Sequence, residues 1–290
     1  MLLGTLIYGF INSVILALVA LGFNLTFGIS GVANFAYGAF YIFAGYGAWI
    51  LLNTLKLPYV LAIFGALVIT MILGALMYRV VLLRVRGMAI SEVIATFGIG
   101  LAILETFRYL GFVGFEYNLP VFIDGSLEIR GVFVDYQRLF IVGLGCVIAL
   151  FLWLFTHYTK IGLAFRGIAQ EERTALSLGI NSDWVATLSV AFGAGLSALA
   201  AILILPLGTI SVEGGYDVLI NALAVCIVGG LGSTVGVFVA SFLIGYAQMI
   251  TSTYLEPHWI MIVSLVAILA ILALKPSGLF GSQKELEERI

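Results

Sequence analysis

The stretch Trp184–Leu205 has the sequence WVATLSVAFGAGLSALAAILIL and contains no charged side chain. A helix that crosses a lipid bilayer needs about 20 predominantly apolar residues, so this stretch is long enough to span one. The pattern extends through the chain, which is 62% hydrophobic and 10% charged over 290 residues. Soluble domains carry about 25% charged residues. The composition therefore excludes a water-soluble enzyme and predicts an all-α polytopic membrane protein, with one transmembrane domain over residues 1–290.

Apolar runs between charges and Gly or Pro breaks predict nine helical segments, within an expected range of about 8–10 transmembrane helices. The seventh is too short to span unaided, so we expect it to start nearer Gly208 or to be a broken helix that lines a cavity. Asn24–Gly31 is a second candidate for broken or re-entrant structure. The nine segments are Leu3–Phe27, Val32–Leu52, Pro58–Leu83, Ile90–Val113, Leu139–Phe155, Trp184–Leu205, Val218–Val228, Val235–Ile250 and Trp259–Leu274.

The basic residues predict the orientation, because Lys and Arg accumulate in short cytoplasmic loops. An outside N-terminus and an inside C-terminus place nine of the 13 basic residues inside. The nine are Arg79, Arg84, Arg86, Lys160, Arg166, Arg173, Lys275, Lys284 and Arg289, and the other four are Lys56, Arg108, Arg130 and Arg138.

Two polar stretches connect the predicted segments. Residues 114–138 carry acids, arginines and turn formers, so we expect an external loop that is a candidate docking surface. Residues 157–183 are predicted to be cytoplasmic. They contain Ala, Leu and Arg without proline, which favours helix over coil.

Few side chains are suited to catalysis or metal binding. His157 and His258 are predicted at opposite membrane faces, and Cys146 and Cys226 lie inside apolar runs. The sequence has no metal-ligand cluster and no phosphate-binding Gly-x-x-x-x-Gly-Lys loop. The net charge of −2 argues against nucleic acid as a partner. We therefore expect neither an enzyme nor a metal site.

Ionisable residues inside membrane helices are candidates for function, because burying them is costly. Each one here also has a structural interpretation. Glu105 and Arg108 are three residues apart and can pair on one helix face. Glu92 lies near the start of its helix, where a carboxylate complements the helix dipole. Glu213 and Asp217 precede or begin the seventh segment, and capping of that helix is the favoured interpretation.

Uncharged polar side chains in the predicted helices form a further group of candidates. They either bond neighbouring helices or line a weakly polar path for a solute. The path candidates are Asn34, Tyr37, Phe40, Tyr41, Thr96 and Asn221, and the other polar members are Asn12, Asn24, Thr26, Tyr46 and Ser241.

Four motifs follow one another along the chain. They are NFAYGAF (34–40), GLAFRGIAQ (162–170) with LGI (178–180), VGGLGSTVG (228–236) and KPSGLFG (275–281). Together they resemble the permeases of ABC importers for branched-chain amino acids, specifically the H-type subunit. The family often has His-Gly-Glu where Tyr37-Gly38-Ala39 stands here, which favours a less polar solute such as an aromatic or long-chain acid.

The resemblance implies a permease subunit of an ABC importer in a bacterial or archaeal plasma membrane. Such a subunit forms the solute path with a second, M-type permease, and it works with two ATP-binding cassette subunits and an external solute-binding protein. ATP and Mg²⁺ are then bound by the ATPase partners, and we expect no cofactor on this chain. The implied solutes are branched-chain amino acids or relatives such as urea, short amides and aromatic or other organic acids.

The resemblance also assigns roles to two of the motifs. Residues 157–183 resemble a coupling loop whose apolar side chains Leu176 and Leu178 would anchor in a groove of the ATPase. The third motif has two open interpretations, a tight turn and a gate hinge, on Gly229, Gly230 and Gly232. The expected coupling residues are Gly162, Arg166, Ala169, Glu172, Leu178 and Gly179.

Two other classes of function are weighed against this one. A stand-alone secondary transporter or channel is disfavoured, because ion-coupled carriers usually need membrane-embedded charges. A membrane-embedded enzyme is disfavoured because the sequence shows no nucleophile paired with a base.

Overall fold

The structure is a computed structural model that describes residues 2–31, 33–112, 117–255 and 257–281. Each of the nine predicted segments contains a helix in its described residues, which confirms the all-α membrane fold. Residues 114–116 of the predicted external loop, and the basic residues Lys284 and Arg289, lie outside the described residues. In chain order the elements are α1 (Leu2–Ser30), α2 (Tyr37–Asn53), α3 (Tyr59–Val85), α4 (Ala89–Tyr109), β1 (Ser126–Ile129), β2 (Val132–Asp135), α5 (Tyr136–Tyr158), α6 (Lys160–Gln170), α7 (Glu172–Ser177), α8 (Ser182–Ile204), α9 (Gly214–Gly229), α10 (Thr234–Tyr254) and α11 (Ile260–Leu274).

Six of these helices are long and apolar enough to cross a membrane, namely α1, α3, α4, α5, α8 and α10. The other three apolar helices are shorter, with 17 residues in α2, 16 in α9 and 15 in α11. A helix of 15 to 17 residues lies at or below the lower limit of about 17 for a span. The protein is therefore polytopic, and a count of crossings above six stays a prediction.

The break near the first segment lies at Gly31, the last residue of the predicted stretch Asn24–Gly31, and the residues before it are helical. Helix α1 is continuous to Ser30, and Gly31 then ends it with a φ of 68°, a conformation that favours glycine. Helix α2 begins at Tyr37 rather than at the predicted Val32. The connection is buried at Asn34, which is 1% exposed. Non-helical backbone is tolerated at membrane depth only where protein covers it, and the burial of Asn34 satisfies that condition.

The seventh segment starts at Gly214, which is earlier than Val218 and in the expected direction, although the helix does not reach Gly208. A short 3₁₀ turn, Leu205–Leu207, follows α8, and the backbone is then extended. There the N–H of Ile210 donates to the carbonyl of Tyr117 at 2.8 Å. The hydroxyl of Ser211 accepts from the Gly214 N–H at 3.1 Å and caps α9. Extended pairing and a cap therefore set the helix start.

The predicted external loop contains a β-hairpin. Strands β1 and β2 are antiparallel, with Ile129 opposite Val132. Arg130 and Gly131 form the two-residue turn, with φ values of 51° and 81°. Positive φ at both turn residues matches the right-handed twist of the strands. Helix α5 already begins at Tyr136, so the loop ends before the predicted Arg138.

The chain forms two compact units, which we describe separately. The first unit comprises residues up to Asn24, Val121–Ile148 and residues from Ile220 onward. Small residues bring its helices together. A Cβ atom added to Gly245 of α10 would lie 2.5 Å from the Oγ of Ser13 in α1. Close approach of this kind is typical of helix packing in lipid.

The second unit comprises Leu25–Pro120 and Ala149–Leu219. Its centre is the packing of α3 and α2 on α8, the most buried of the long helices. Gly74 of α3 lies against Ala194 of α8, where an added Cβ would be 2.7 Å from the alanine Cβ. This core supports the two regions described next, the loop helices and the start of α2.

Candidate functional site

One face of the loop helices α6 and α7 is anchored in the second unit. The hydroxyl of Thr159 accepts from the Gly162 N–H at 2.9 Å and caps α6. A Cβ atom added to Gly162 would lie 2.1 Å from the Phe155 carbonyl oxygen, so glycine permits the sharp turn from α5. Phe165 and Ile168 are buried on the next turns. They pack in a cluster with Ile29, Ala175 and Val185.

The other face of the loop helices is open and carries leucines. Leu163 and Leu176 are about half exposed, and Leu178 is 77% exposed. The candidate residues Ala169 and Glu172 are also exposed. Exposed leucines on a rigidly held surface are typical of a protein–protein contact.

Arg86 ties the loop helices to the end of α3, a contact that our sequence analysis missed. Its guanidinium contacts the carboxylates of Glu172 and Asp183, and it donates to the Ser182 hydroxyl at 2.8 Å. We had counted Arg86 only toward the orientation. No sequence spacing links these residues, because they belong to three different elements.

The two remaining coupling candidates are Gly179, in the turn after α7, and Arg166, inside α6. Gly179 follows α7 with a φ of 84°, and an added Cβ would meet nothing within 4 Å. Only backbone strain therefore restricts that position. Arg166 donates from one Nη to the His157 carbonyl at 3.5 Å, and its buried Nε has no partner among the described residues.

The turn between α9 and α10 is held by hydrogen bonds in the first unit. Gly230 and Gly232 have φ values of 101° and 82°, which favour glycine. The Gly230 N–H donates to the Cys226 carbonyl at 2.9 Å. The Gly232 N–H donates to the Oδ1 of Asn24 in α1, also at 2.9 Å. These contacts favour the tight-turn interpretation, and the gate hinge stays a prediction.

The C-terminal motif pairs with this turn, so two of the four motifs form one structure. The N–H groups of Leu279 and Phe280 donate to the carbonyls of Val228 and Gly229, both at 2.9 Å. A Cβ atom added to Gly230 would lie 2.3 Å from the Gly281 nitrogen. We call residues 228–236 with 278–281 the glycine turn.

The start of α2 is the second closely packed glycine site, and it lies in the second unit. The Phe35 N–H donates to the Thr96 hydroxyl of α4 at 3.2 Å. The Oδ1 of Asn34 accepts from the Ala36 N–H at 3.1 Å. Gly100 makes room for this backbone, because an added Cβ would lie 3.1 Å from the Ala36 Cα. The first motif therefore packs on α4.

The first turns of α2 and α9 touch through their backbones. A Cβ atom added to Gly38 would lie 1.9 Å from the Gly215 carbonyl oxygen. A cavity of about 10 Å³ adjoins this contact. Its lining residues are Phe35, Gly38, Ala39, Phe97, Gly100, Leu101, Leu104, Gly215, Tyr216 and Leu219. We call residues 33–40 with Gly215 the α2 start.

Five of the six path candidates lie in the second unit. Asn34, Tyr37, Phe40, Tyr41 and Thr96 are each at most 3% exposed. Their positions are compatible with a path or with a packed interior, so their role stays a prediction.

The sixth path candidate, Asn221, lies in the first unit within a polar network. Its Oδ1 accepts from the Ser264 hydroxyl at 2.8 Å and from the Gln248 Nε2 at 3.0 Å. Asn12 extends the network by donating to the Gln248 Oε1 at 3.0 Å. Side chains from α1, α9, α10 and α11 are thus linked by hydrogen bonds.

The ionisable residues mostly follow their structural interpretations. Arg108 pairs with Glu105 at 2.6 Å, as predicted, and also with Glu213 at 3.0 Å. The backbone N–H of Glu213 and then the Arg108 guanidinium hold the pKa of the Glu213 carboxyl below its usual value. Glu92 accepts from the Gly87 N–H at 2.8 Å. Because Ser211 caps α9 and Glu213 pairs with Arg108, the capping role predicted for the Glu213 side chain is wrong.

The fold and composition define a multi-pass helical membrane protein. A known family, described as the permease component of the branched-chain amino acid transport system, matches residues 5–272. The chain belongs to this family, and it is a membrane permease subunit.

Curated relatives agree with this assignment, and one solved structure is similar to the chain in fold. The chain is 27% identical to the high-affinity branched-chain amino acid transport permease BraD of Pseudomonas aeruginosa and to LivH of Escherichia coli, over 91% of each chain in both comparisons. It is also 27% identical to a probable LivH of Methanocaldococcus jannaschii, over 96% of this chain and 91% of that relative. PsaBC of Streptococcus pneumoniae, solved with a Fab, is similar in fold. Its TM-score is 0.54 at 14% identity, over 99% of this chain and 95% of that one.

Proposed function

We propose that this permease forms the solute path of an ABC importer together with a second, M-type permease. In this proposal an external binding protein delivers the solute, and two ATP-binding cassette subunits supply the energy by binding and hydrolysing ATP with Mg²⁺. The family description as a component of a transport system supports an assembly of several subunits. The chain itself would carry no nucleotide.

The open face of the loop helices carries this proposal. Phe165 and Ile168 fix one face of α6 in the second unit, while Leu178 stands 77% exposed on the other side. A partner that binds Leu176 and Leu178 can therefore transmit its movement to the second unit, because Arg86 and the buried cluster connect the loop helices to that unit. Coupling through Gly162, Arg166, Ala169, Glu172, Leu178 and Gly179 follows from this arrangement.

The proposed orientation places these loop helices and the C-terminus in the cytoplasm and the N-terminus outside. The distribution of nine basic residues against four supports it. The hairpin of β1 and β2 is then external, where a solute-binding protein can dock.

The proposed solutes are branched-chain amino acids, as in the names of the curated relatives, or related amides and aromatic or other organic acids. Buried candidates around the α2 start, from Asn34 to Tyr41 together with Thr96, are proposed to line the path. Tyr37 and Ala39 supply little charge, which favours a solute with an apolar body.

The test replaces Leu178 with aspartate in the complete importer. We expect Leu178→Asp to remove the ATPase subunits from the purified complex and to lower ATP-dependent uptake at least tenfold, because an apolar interface anchor becomes charged. Co-purification and uptake into proteoliposomes measure the two effects. The matched control is Leu55→Asp, since Leu55 is 60% exposed just after α2 and has no role in the proposed contact.

Wild-type uptake by Leu178→Asp would contradict the proposed coupling surface. Accumulation of solute against its gradient by the purified permease alone would contradict the importer as a whole and support a stand-alone transporter.

A further inference from the structure

The N-terminus of α2 is buried and has unpaired donors. Helix N-termini expose N–H groups that need partners from outside the helix. Here the Tyr37 N–H donates to the Asn34 carbonyl at 3.1 Å, and the Phe40 N–H donates to the Ala36 carbonyl at 3.0 Å. The N–H groups of Gly38 and Ala39 have no acceptor in the part of the chain that the structure describes.

A buried side-chain donor at the same helix end also lacks a partner. Asn34 is 1% exposed, and its Oδ1 is held on the Ala36 N–H. Its Nδ2 has no hydrogen-bond partner among the described residues. The carboxamide, two residues before Ala36 at the helix end, therefore has its acceptor used while its donor has no partner among the described residues. Buried polar atoms without partners are rare in folded proteins and call for an explanation.

We infer that the α2 start is a carboxylate-binding site on the solute path, in which the Asn34 Nδ2 and the N–H groups of Gly38 and Ala39 bind the carboxylate of the solute. Helix N-termini favour anions, because aligned N–H groups and the helix dipole point at them. This inference rests on the proposed import function and narrows its solute class to acids with an apolar body.

The side chains that line the adjoining cavity are suited to a solute that is apolar outside its carboxylate. Phe35, Phe97, Leu101 and Leu219 line it, and they offer no charge. The cavity of about 10 Å³ is far below the 300–1,000 Å³ of sites that enclose small molecules, so the cavity in this structure is too small to hold a solute. Binding requires the contact between Gly38 and Gly215 to separate.

Arg108 is a less suitable receptor for the carboxylate. It is on α4, one turn from the cavity residue Leu104, but its guanidinium already pairs with Glu105 and Glu213. Those two carboxylates outnumber the single arginine, so the trio repels an anion. The uncharged donors at the α2 start are therefore the better candidates for binding the carboxylate of the solute.

The experiment compares acids with their amides in proteoliposomes that contain the complete importer and its loaded binding protein. The probes are L-leucine with leucinamide and phenylacetate with phenylacetamide. Asn34→Asp keeps an oxygen on the Ala36 N–H but replaces the free donor with a charged acceptor. We expect the amide-to-acid ratio of initial uptake rates to rise at least tenfold, because an amide can donate where a carboxylate is repelled. The same binding protein is used throughout, so its own preference cancels between variant and wild type.

The matched control is Asn53→Asp at the exposed opposite end of α2, which should leave the ratio unchanged. Asn34→Leu should lower acid uptake at least tenfold without raising amide uptake. The wild type itself should import the acids at least ten times faster than the amides from equally loaded binding protein, a result that needs no variant to fold.

The outcomes separate the two proposals. ATP-dependent import of acids with the same amide-to-acid ratio in wild type and Asn34→Asp would overturn the carboxylate site and leave the import function standing. Equal wild-type rates for acid and amide would do the same. Failure of the wild type to move any of the four probes would overturn the proposed solutes and, with them, the site.

Discussion

Glycine backbones touch at two places among the described residues, and the two places differ in their hydrogen bonds. In the glycine turn, a Cβ on Gly230 would lie 2.3 Å from Gly281, and at the α2 start a Cβ on Gly38 would lie 1.9 Å from Gly215. The N–H groups of Gly230 and Gly232 have acceptors. At the α2 start, the described residues supply none for the Asn34 Nδ2.

The difference teaches that close packing alone does not distinguish a structural site from a functional one. Both sites exclude any side chain larger than hydrogen, so a steric argument treats them alike. Buried backbone and side-chain polar groups are nearly always paired. A buried donor without a partner raises the free energy of the protein. A ligand that accepts a hydrogen bond from this donor would remove that cost, so the unpaired site is the better candidate for binding.

The largest expected effect is on the paired site. Gly230→Ala should lower the free energy of unfolding by roughly 3 kcal/mol, because it combines a left-handed φ with a backbone clash. The thermal unfolding midpoint of the purified complex measures the loss.

Gly98→Ala is the control for this prediction. Gly98 lies inside α4, where an added Cβ meets nothing within 4 Å, so alanine should stabilise the helix slightly. A Gly230→Ala complex that is as stable as wild type but transports slowly would favour the gate hinge over the tight turn.

The second-largest expected effect is a change in the conformational equilibrium of the α2 start, the site with unpaired donors. Gly38→Ala should raise the free energy of the closed conformation by about 2 kcal/mol through overpacking against Gly215. If the α2 start opens during transport, this cost shifts the population toward open states at least tenfold. A thiol at Leu219→Cys, beside the cavity, should then react at least ten times faster with N-ethylmaleimide.

The reporter for the paired site is Val228→Cys, on the same helix α9. Leu219 and Val228 are equally buried, each 7% exposed. Both measurements use a Cys146→Ser background, since Cys146 is exposed. Equal acceleration at both cysteines would mean that Gly38→Ala loosens the protein generally, which would remove the distinction between the two sites.

The helices could be predicted from the sequence because apolar length is a local property. The length and the lack of charge of Trp184–Leu205 are enough to predict a membrane span, and the structure has α8 there. Boundaries were harder where tertiary contacts decide them. Helix α2 begins late because the Phe35 N–H donates to Thr96 and Ala36 packs on Gly100, both in α4. Helix α9 begins at Gly214 because Ile210 pairs with Tyr117.

The sites themselves were only partly predictable. The motifs at 228–236 and 275–281 were visible separately, but the pairing of Leu279 with Val228 joins residues far apart in the chain. The contact of Gly38 with Gly215 is of the same kind. No periodicity or spacing encodes such contacts, so sequence analysis identified the residues and missed their partners.

A smaller effect should distinguish the two buried asparagines that serve the two sites. Asn24→Ala leaves the Gly232 N–H without its acceptor, which should lower the free energy of unfolding by about 1–2 kcal/mol. The amide-to-acid ratio of uptake should not change, because Asn24 serves the glycine turn and is not part of the proposed carboxylate site. Thermal unfolding and the four-probe uptake assay provide the measurements, with Asn34→Asp as the contrasting variant. A changed ratio in Asn24→Ala would show that hydrogen-bond pairing does not separate structural from functional asparagines.

The smallest expected effect concerns the polar network around Asn221, a path candidate whose Oδ1 accepts two hydrogen bonds. Ser264→Ala removes one donor to Asn221, but the Gln248 Nε2 still donates to the same oxygen at 3.0 Å. Interhelical hydrogen bonds in membranes contribute about 0.6 kcal/mol each, so the unfolding midpoint should fall only slightly. If pairing marks structural polar groups, the KM for leucine uptake should equal that of wild type. A KM change of threefold or more with unchanged stability would place Asn221 on the solute path, and a paired site would then also bind solute.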